Sequence, residues 1–299
     1  MTRGEKRHLR NGLLFCGPWL VGLTLFTAYP VGASLFYSFC DYSVLQAPVW
    51  AGLDNYRRMA QDTLFWLSLK NTLVFAALAL PGGLVVALAL AMLLNTGVRG
   101  LPFFRAVFYL PSIVPLVASA MLWLWIFNGK FGLLNWVLTP LFGLFGAKPP
   151  AWLGDPLWAK PALALMSLWG VGNSMVIFLA GLQNVPKELY EAAEMDGARA
   201  WQRFWHVTLP MISPVIYFNL IMGIIGTLQV FTQVFVMTGG ADGHPARSTL
   251  FYALYLFSTA FYDLRMGYAS ALAWVLFLVI VALTVLATKL TEKRVHYGT

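Results

Sequence analysis

The sequence predicts an all-α integral membrane protein with six transmembrane helices, because of its composition and its six long uncharged runs. Hydrophobic residues make up 59% of the chain and charged residues 11%, whereas soluble domains carry about 25% charged residues. Each run holds at least 21 residues without Asp, Glu, Lys or Arg, and a helix needs about 20 apolar residues to cross the hydrocarbon core. We therefore predict a single transmembrane domain over residues 1–299, with spans at about 13–39, 71–94, 106–127, 161–182, 211–237 and 268–288.

The first run, Leu13–Phe39, follows a basic segment, MTRGEKRHLR. It is too long for the apolar part of a signal peptide and lacks an obvious small-residue cleavage site, so we expect it to remain as the first span. A shorter apolar segment, Phe131–Gly146, has only 16 residues and contains Pro140. Its length suits an interfacial or re-entrant helix better than a span.

Lys and Arg are distributed unevenly between the two sides that six spans define. The N-terminus, residues 95–105, residues 183–210 and the C-terminal tail together carry 12 of them in about 62 residues, against 8 in about 94 on the other side. Because cytoplasmic loops are enriched in Lys and Arg, we predict cytoplasmic termini and a cytoplasmic loop at 183–210. The twelve are Arg3, Lys6, Arg7, Arg10, Arg99, Arg105, Lys187, Arg199, Arg203, Lys289, Lys293 and Arg294.

The stretch 188–210, ELYEAAEMDGARAWQRFWHVTLP, is the one long polar, helix-prone interruption of the apolar sequence. Pro186 can begin a helix and Gly197 can end it in a left-handed conformation, which predicts a helix of about three turns. Ala192 and Ala193 leave little side-chain bulk, so another protein's surface can approach closely. A second helical piece from Arg199 has Trp201, Phe204 and Trp205 at helical spacing, a pattern typical of a helix that lies in the membrane interface. The alternative is a loop that rests at the lipid headgroups without a partner.

The predicted spans contain neutral hydrogen-bonding groups and no ionisable side chain, apart from Tyr and Cys. Such groups suit a neutral, hydroxyl-rich solute, although each alone can also join two helices. Gln229 and Gln233 lie four residues apart, so a helix would place both on one face, where they can line a path. Prolines at Pro81, Pro111 and Pro115 predict kinked or locally unwound spans. Aromatic residues of the outward loop 238–267 are expected in the interfacial belt.

Motifs for intrinsic chemistry are absent from the sequence. It has no phosphate-binding G-x-x-x-x-G-K-[ST] loop and no HExxH, so we predict no catalytic residue and no metal site, and energy for transport must come from a partner. Cys16 and Cys40 lack the spacing of a disulfide framework or metal site. A membrane-embedded enzyme is a less favoured alternative because the four histidines are scattered. An ion-driven carrier is disfavoured by the uncharged spans.

The segment EAAEMDGA at Glu191–Ala198, followed by Leu209 and Pro210, resembles the EAA signature of permease subunits in binding-protein-dependent ABC importers. The resemblance extends along the chain and points to the carbohydrate branch, which includes maltose, multiple-sugar and glycerol-3-phosphate permeases. The pieces that carry it are GLDNY at Gly52–Tyr56, GLLN at Gly132–Asn135, TGG at Thr238–Gly240 and MGYASA at Met266–Ala271.

The resemblance implies a type I ABC importer (MetI-like) core with a cytoplasmic coupling helix, in a bacterial or archaeal plasma (inner) membrane. Implied partners are a second, homologous permease subunit, two copies of a cytoplasmic ABC ATPase, an extracytoplasmic solute-binding protein, the sugar and membrane lipid, with no nucleic acid. The chain itself would bind no cofactor, since ATP and Mg belong to the ATPase. The substrate would be an oligosaccharide or related polyol, with glycerol-3-phosphate as the alternative.

Two sets of residues acquire roles from the resemblance. The coupling helix would contact the ATPase through Glu188, Glu191, Ala192, Ala193, Asp196, Gly197 and Ala198. In maltose-type members the sugar is held by the helices before and after the EAA loop, and the positions that correspond by spacing are Ser167, Gly170, Asn173, Gln229 and Gln233.

Overall fold

Helices account for nearly all of the regular structure in the computed structural model, which describes residues 3–96 and 99–292. In chain order the helices are α1 (Arg3–Leu23), α2 (Tyr29–Ser38), α3 (Asp54–Gln61), α4 (Thr63–Leu94), α5 (Leu101–Ile113), α6 (Leu116–Ile126), α7 (Leu133–Gly143), α8 (Ala159–Trp169), α9 (Gly172–Gln183), α10 (Lys187–Met195), α11 (Ala200–Arg203), α12 (Leu209–Met211), α13 (Ser213–Leu228), α14 (Thr232–Met237), α15 (Tyr252–Phe261) and α16 (Met266–Thr291). Short π-helical turns, Thr24–Ala28 and Phe204–Thr208, connect α1 to α2 and α11 to α12.

Five of the six predicted runs fall on three long helices and two bent pairs, and the remaining run, 211–237, covers α13 and α14. Arg10–Ser38, Thr63–Leu94 and Met266–Thr291 are each long and apolar enough to cross a membrane. The pairs bend by 98° between α5 and α6, by 50° between α8 and α9, and by 67° where the helical stretch Ala200–Met211 meets α13. Among the residues described, three spans are found if only continuous helices are counted, and up to six if each bent pair is one span.

The segment Phe131–Gly146 does not form a span. It folds into α7, whose 11 residues are too few to cross the hydrocarbon core, as its length predicted. Lys293 and Arg294, which contribute to the predicted charge bias, lie outside the described residues.

The chain divides into two compact units, one formed by Met1–Asp62 with Leu256–Val275 and the other by Thr63–Tyr255 with Leu276–Thr299. In the first unit, Cys40 and Asp41 pair in antiparallel fashion with Trp50 and Val49. The buried amide of Asn55 donates to the carbonyls of Ser38 (3.0 Å) and Cys40 (2.9 Å). These bonds fix the chain where α2 ends, since a buried carbonyl needs a donor.

The second unit is organised around α4, which contacts α8, α9 and α13. Close approach depends on small residues: a Cβ on Gly223 would come within 2.2 Å of the Leu80 side chain, and one on Gly181 within 2.7 Å of Val215. The buried core beneath the EAA segment consists of Ala87, Ala91, Leu94, Met175, Phe178, Leu179, Leu182, Val185 and Ile212.

Two predictions about irregular backbone and one about aromatic residues need correction. Of the kinks or local unwinding predicted at prolines, unwinding is absent at Pro81 and at Pro111, because α4 and α5 continue through them. The fifth predicted span is not one helix, because the backbone leaves the helical conformation between α13 and α14. Phe251 and Tyr252 are buried rather than interfacial, since Phe251 packs on Phe75 with ring centroids 5.0 Å apart. The break predicted at Pro115 is present, between α5 and α6.

Candidate functional site

A cavity of about 460 Å³ lies among α4, α5, α6, α8, α9, α13 and α14 in the second unit. None of the described residues that line it is charged. Aromatic and apolar faces come from Phe75, Trp169 and Val230, among others. The hydrogen-bonding side chains on its wall are Ser112, Ser119, Ser167, Asn173, Thr227 and Gln233.

The helix breaks occur where the chain borders this cavity. Val114 and Gly170, at the breaks after α5 and α8, line it, and so does Val230 between α13 and α14. Within the membrane, irregular backbone is tolerated only where protein buries it or where it lines a water-filled space. The cavity thus offers backbone as well as side-chain hydrogen-bonding groups to a solute.

Four of the five predicted path residues line this cavity: Ser167, Gly170, Asn173 and Gln233. Gln229 does not. It caps the C-terminal end of α13 and is exposed, whereas Gln233 is the second residue of a separate helix, α14. The expectation that these two glutamines share one helical face is therefore wrong, because the intervening residues are not helical.

The side-chain amides best placed for a ligand are those of Asn173 and Gln233. Ser167 and Thr227 already donate to carbonyls of their own helices, at 3.0 Å and 2.7 Å. Within the described part of the chain, neither Asn173 nor Gln233 makes a side-chain hydrogen bond. Their donors and acceptors remain available to the hydroxyl groups of a solute. The lining serines of α5 and α6 were missed by sequence reasoning, which considered only the spans beside the EAA segment.

The EAA segment folds as a hairpin of residues 187–211, called here the EAA hairpin. Helix α10 begins after Pro186, and the chain reverses at Gly197, whose φ is +75°. The Ala198 amide donates to the Ala193 carbonyl at 2.9 Å, the bond that defines a Schellman cap. Both predicted ends of this helix are confirmed, although it has 9 residues instead of about three full turns.

The predicted coupling residues form an accessible, largely acidic surface. Helix α10 has no buried residue. Ala193 and Ala198 are half-buried against the hairpin, and the other five are exposed: Glu188, Glu191, Ala192, Asp196 and Gly197. Ala193, Asp196, Gly197 and Ala198 also line a shallow pocket of about 260 Å³ on the hairpin.

Two contacts that the sequence did not reveal connect the two arms of the EAA hairpin. Glu194 forms an ion pair with Arg203. The hydroxyl groups of Tyr190 and Thr208 share a hydrogen bond of 3.0 Å, in which either can donate. Tyr190 also packs on the buried core beneath the hairpin. These contacts hold α10 in a fixed position relative to the chain that leads into α13.

The sequence pieces that suggested a carbohydrate permease have structural roles in the fold. In the first unit, a Cβ on Gly267 would come within 2.1 Å of the Cys40 carbonyl, and Tyr268 donates to Asp62 at 2.6 Å. In the second unit, Asn135 accepts a hydrogen bond of 2.7 Å from the Trp152 indole. Gly240 adopts a φ of +125°. They stabilise turns, and none of them lines the uncharged cavity.

A buried polar cluster fixes the loop before α15. Lys160 donates to the Asn71 side-chain oxygen at 3.3 Å and to the Ser248 carbonyl at 3.0 Å. The Asn71 amide in turn donates to the carbonyls of Arg247 (2.9 Å) and Leu250 (3.2 Å). The starts of α4 and α8 are thereby tied to this loop, a connection that no sequence motif indicated.

Residues 79–297 match the family described as "Binding-protein-dependent transport system inner membrane component". The chain belongs to this family. It is 42% identical over 298 residues to the probable ABC transporter permease protein YesP of Bacillus subtilis (strain 168), covering 99% of this chain and 95% of that protein. The lactose transport system permease protein LacF of Rhizobium radiobacter is 36% identical, with 95% of each chain covered.

The fold is that of a type I ABC importer permease, as the sequence predicted. A crystal structure of a bacterial ABC transporter involved in import of the acidic polysaccharide alginate contains a chain that superposes with a TM-score of 0.82. The match covers 98% of this chain and 99% of that one at 23% identity. The protein is accordingly a membrane-embedded transport subunit.

Proposed function

We propose that this permease forms half of the translocation path of an ATP-driven importer for a neutral carbohydrate, an oligosaccharide or related polyol. The uncharged cavity at the helix breaks carries this proposal, because it combines unpaired amides with aromatic faces. Relatives named for lactose and for trehalose/maltose transport support the substrate class. A glycerol-3-phosphate substrate is disfavoured because none of the described residues lining the cavity could neutralise a phosphate.

The energy for import would come from partner subunits, with ATP and Mg bound by two copies of a cytoplasmic ATPase. The exposed face of α10 is the surface that we assign to ATPase contact, through Glu188, Glu191 and Asp196 with the intervening small residues. Exposed acids can meet basic groups of the ATPase, and Ala192 and Gly197 leave room for close approach. We further propose a second permease subunit and cytoplasmic termini. A related structure was solved in complex with an alginate pentasaccharide-bound periplasmic protein, which supports a solute-binding partner.

In this mechanism, ATP binding and docking of the loaded binding protein both favour an outward-open state. Each can shift the equilibrium only by its differential affinity for that state. The EAA hairpin would move with the ATPase and carry α13 with it, since the Tyr190–Thr208 bond ties its two arms.

Replacement of Gln233 by Leu tests the path. We expect KM for uptake to rise about tenfold, because one or two hydrogen bonds of about 1 kcal/mol each are lost. Uptake is measured in cells with the disaccharide or polyol that the unaltered transporter imports best from a labelled panel. Gln229→Leu is the matched control, since Gln229 lies outside the cavity and should leave KM within about twofold.

Three results would contradict the proposal. If the two Leu variants change KM equally, the cavity is not part of the transport path. Import of no carbohydrate or polyol in the panel would exclude the substrate class. Purification of an active transporter without any ATPase would favour an ion-driven carrier.

A further inference from the structure

A second, larger cavity lies along one side of α7, and no residue that lines it lines the uncharged cavity. Its volume is about 950 Å³. Among the described residues on its wall, Lys130 and Lys148 are the only charged ones, and no acid is present. Both lysines are exposed, and in the described part of the chain neither side chain contacts a carboxylate. The cavity therefore favours an anionic ligand.

The backbone around this cavity is held firmly. The Asn128 side-chain oxygen accepts from the amides of Lys130 and Phe131, both at 2.9 Å. A Cβ on Gly132 would come within 2.3 Å of the Asn128 carbonyl, so the turn requires glycine. The side chain of Asn135, which also borders the cavity, accepts a hydrogen bond from the Trp152 indole and donates one to the Gly129 carbonyl. These bonds set which face of α7 remains outside.

The outside face of α7 is apolar along its whole length. Leu133, Trp136, Val137, Leu141 and Leu144 recur at helical spacing, and each is about half exposed or more, up to 81% for Leu144. The helix is too short to span a bilayer. A short helix of this kind, with one apolar face left uncovered by protein, lies at the membrane interface with that face among the acyl chains, and tryptophans favour the same depth.

We propose that the α7 cavity binds an anionic phospholipid, with the phosphate between Lys130 and Lys148 and an acyl chain along the apolar face of α7. Charge complementarity selects the headgroup, and the exposed apolar residues select a lipid over a soluble anion. An acidic oligosaccharide would satisfy the lysines but would leave Leu133 and Trp136, which line the cavity, without an apolar partner. The chain's membrane location supplies the ligand at high local concentration.

The test is lipid retention by the full chain in the complex with which it purifies. The complex is reconstituted into nanodiscs of equal parts phosphatidylglycerol and phosphatidylcholine, then released, and the retained lipid is quantified by native mass spectrometry. We expect phosphatidylglycerol to be enriched. Combined Lys130→Gln and Lys148→Gln substitution should reduce the enrichment about tenfold or more, since each basic residue near a headgroup contributes about fivefold.

Two controls separate this site from general charge effects. Lys130→Arg with Lys148→Arg should retain the enrichment, which also establishes that substitution at these exposed positions leaves the fold intact. Arg58→Gln removes an exposed charge outside the cavity and should have no effect. The proposal is overturned if phosphatidylglycerol is not enriched, or if the Gln and Arg pairs retain it equally. Displacement of phosphatidylglycerol by a soluble uronic-acid oligosaccharide would assign the cavity to saccharide instead.

Discussion

Gly197 is the residue on which the geometry of the EAA hairpin depends most directly. Its φ of +75° lies in the left-handed region, and a Cβ there would meet nothing within 4 Å. Substitution therefore strains the backbone without causing a clash. A left-handed conformation costs an ordinary residue about 1–2 kcal/mol, less for Asn and more for a β-branched side chain.

Gly197→Val should lower the ratio of sugar uptake to ATP hydrolysis severalfold, while Gly197→Asn at the same position should stay close to the unaltered value. The reason is that Val strongly disfavours positive φ and Asn tolerates it. Both rates are measured on proteoliposomes containing the complete transporter. Gly52→Val, at another left-handed glycine with no atom within 4 Å of an added Cβ, controls for backbone strain outside the EAA hairpin. Equal ratios for the Val and Asn variants would exclude a role for this turn in coupling.

Predictability at the residue scale depended on whether the signal was local. Pro186 and Gly197 act through their own backbone preferences, so the ends of α10 could be predicted. Glu194 and Arg203 are nine residues apart and meet only because the chain reverses between them. Gln229 illustrates the opposite error, since helical spacing was applied across a segment that is not helical.

At the scale of elements, long uncharged runs predicted where the apolar helices lie, but not where they break. Proline marked the break between α5 and α6, because a residue before Pro avoids the helical conformation. Gly170 and Gly172 are a weaker signal after α8, and no such residue marks the chain between α13 and α14. These breaks follow from packing around a cavity, which involves several helices at once. The same distinction explains why the lining serines of α5 and α6 were missed.

The bond between Tyr190 and Thr208 should behave as one unit in a double-mutant cycle. Tyr190→Phe and Thr208→Val should each reduce coupled uptake about threefold to tenfold, and the double variant should be no worse than either, since the same hydrogen bond is lost once. Initial uptake rates at saturating substrate provide the measurement.

The pair Tyr217 and Thr288 offers a matched control. Their hydroxyl groups share a hydrogen bond of 2.8 Å between α13 and α16, away from the EAA hairpin. Tyr217→Phe removes the same chemical group and should leave the initial uptake rate unchanged. If the double variant lowers the uptake rate by the product of the two single effects, the substitutions act independently. That result would argue against a connection of the two arms through the Tyr190–Thr208 hydrogen bond.

At the scale of the whole molecule, the sidedness predicted from Lys and Arg remains a prediction that labelling can test. We expect a cysteine at position 188 to react with a membrane-impermeant maleimide only after the cells are permeabilised. A cysteine at position 148 should react in intact cells. Reaction of position 188 in intact cells would show that the topology is the reverse of the predicted one. The EAA hairpin could then not contact a cytoplasmic ATPase.

The two native cysteines differ in how they affect this measurement. Cys16 is exposed, so it should be replaced by Ser before labelling. Cys40 is fully buried, and burial raises the pKa of its thiol, which lowers the thiolate fraction at neutral pH. It should remain unlabelled on both sides and can stay in place.

The EAA hairpin stands on a buried apolar core of the second unit. Ala87, Ala91, Met175 and Ile212 are completely shielded beneath it. Protein interiors of this kind resist compression. A force applied to α10 would therefore be delivered to α4, α9 and α13 as a displacement of the whole block, with little absorbed as local deformation. We expect deformation instead at the helix breaks around Val114 and Gly170, where the chain borders a cavity.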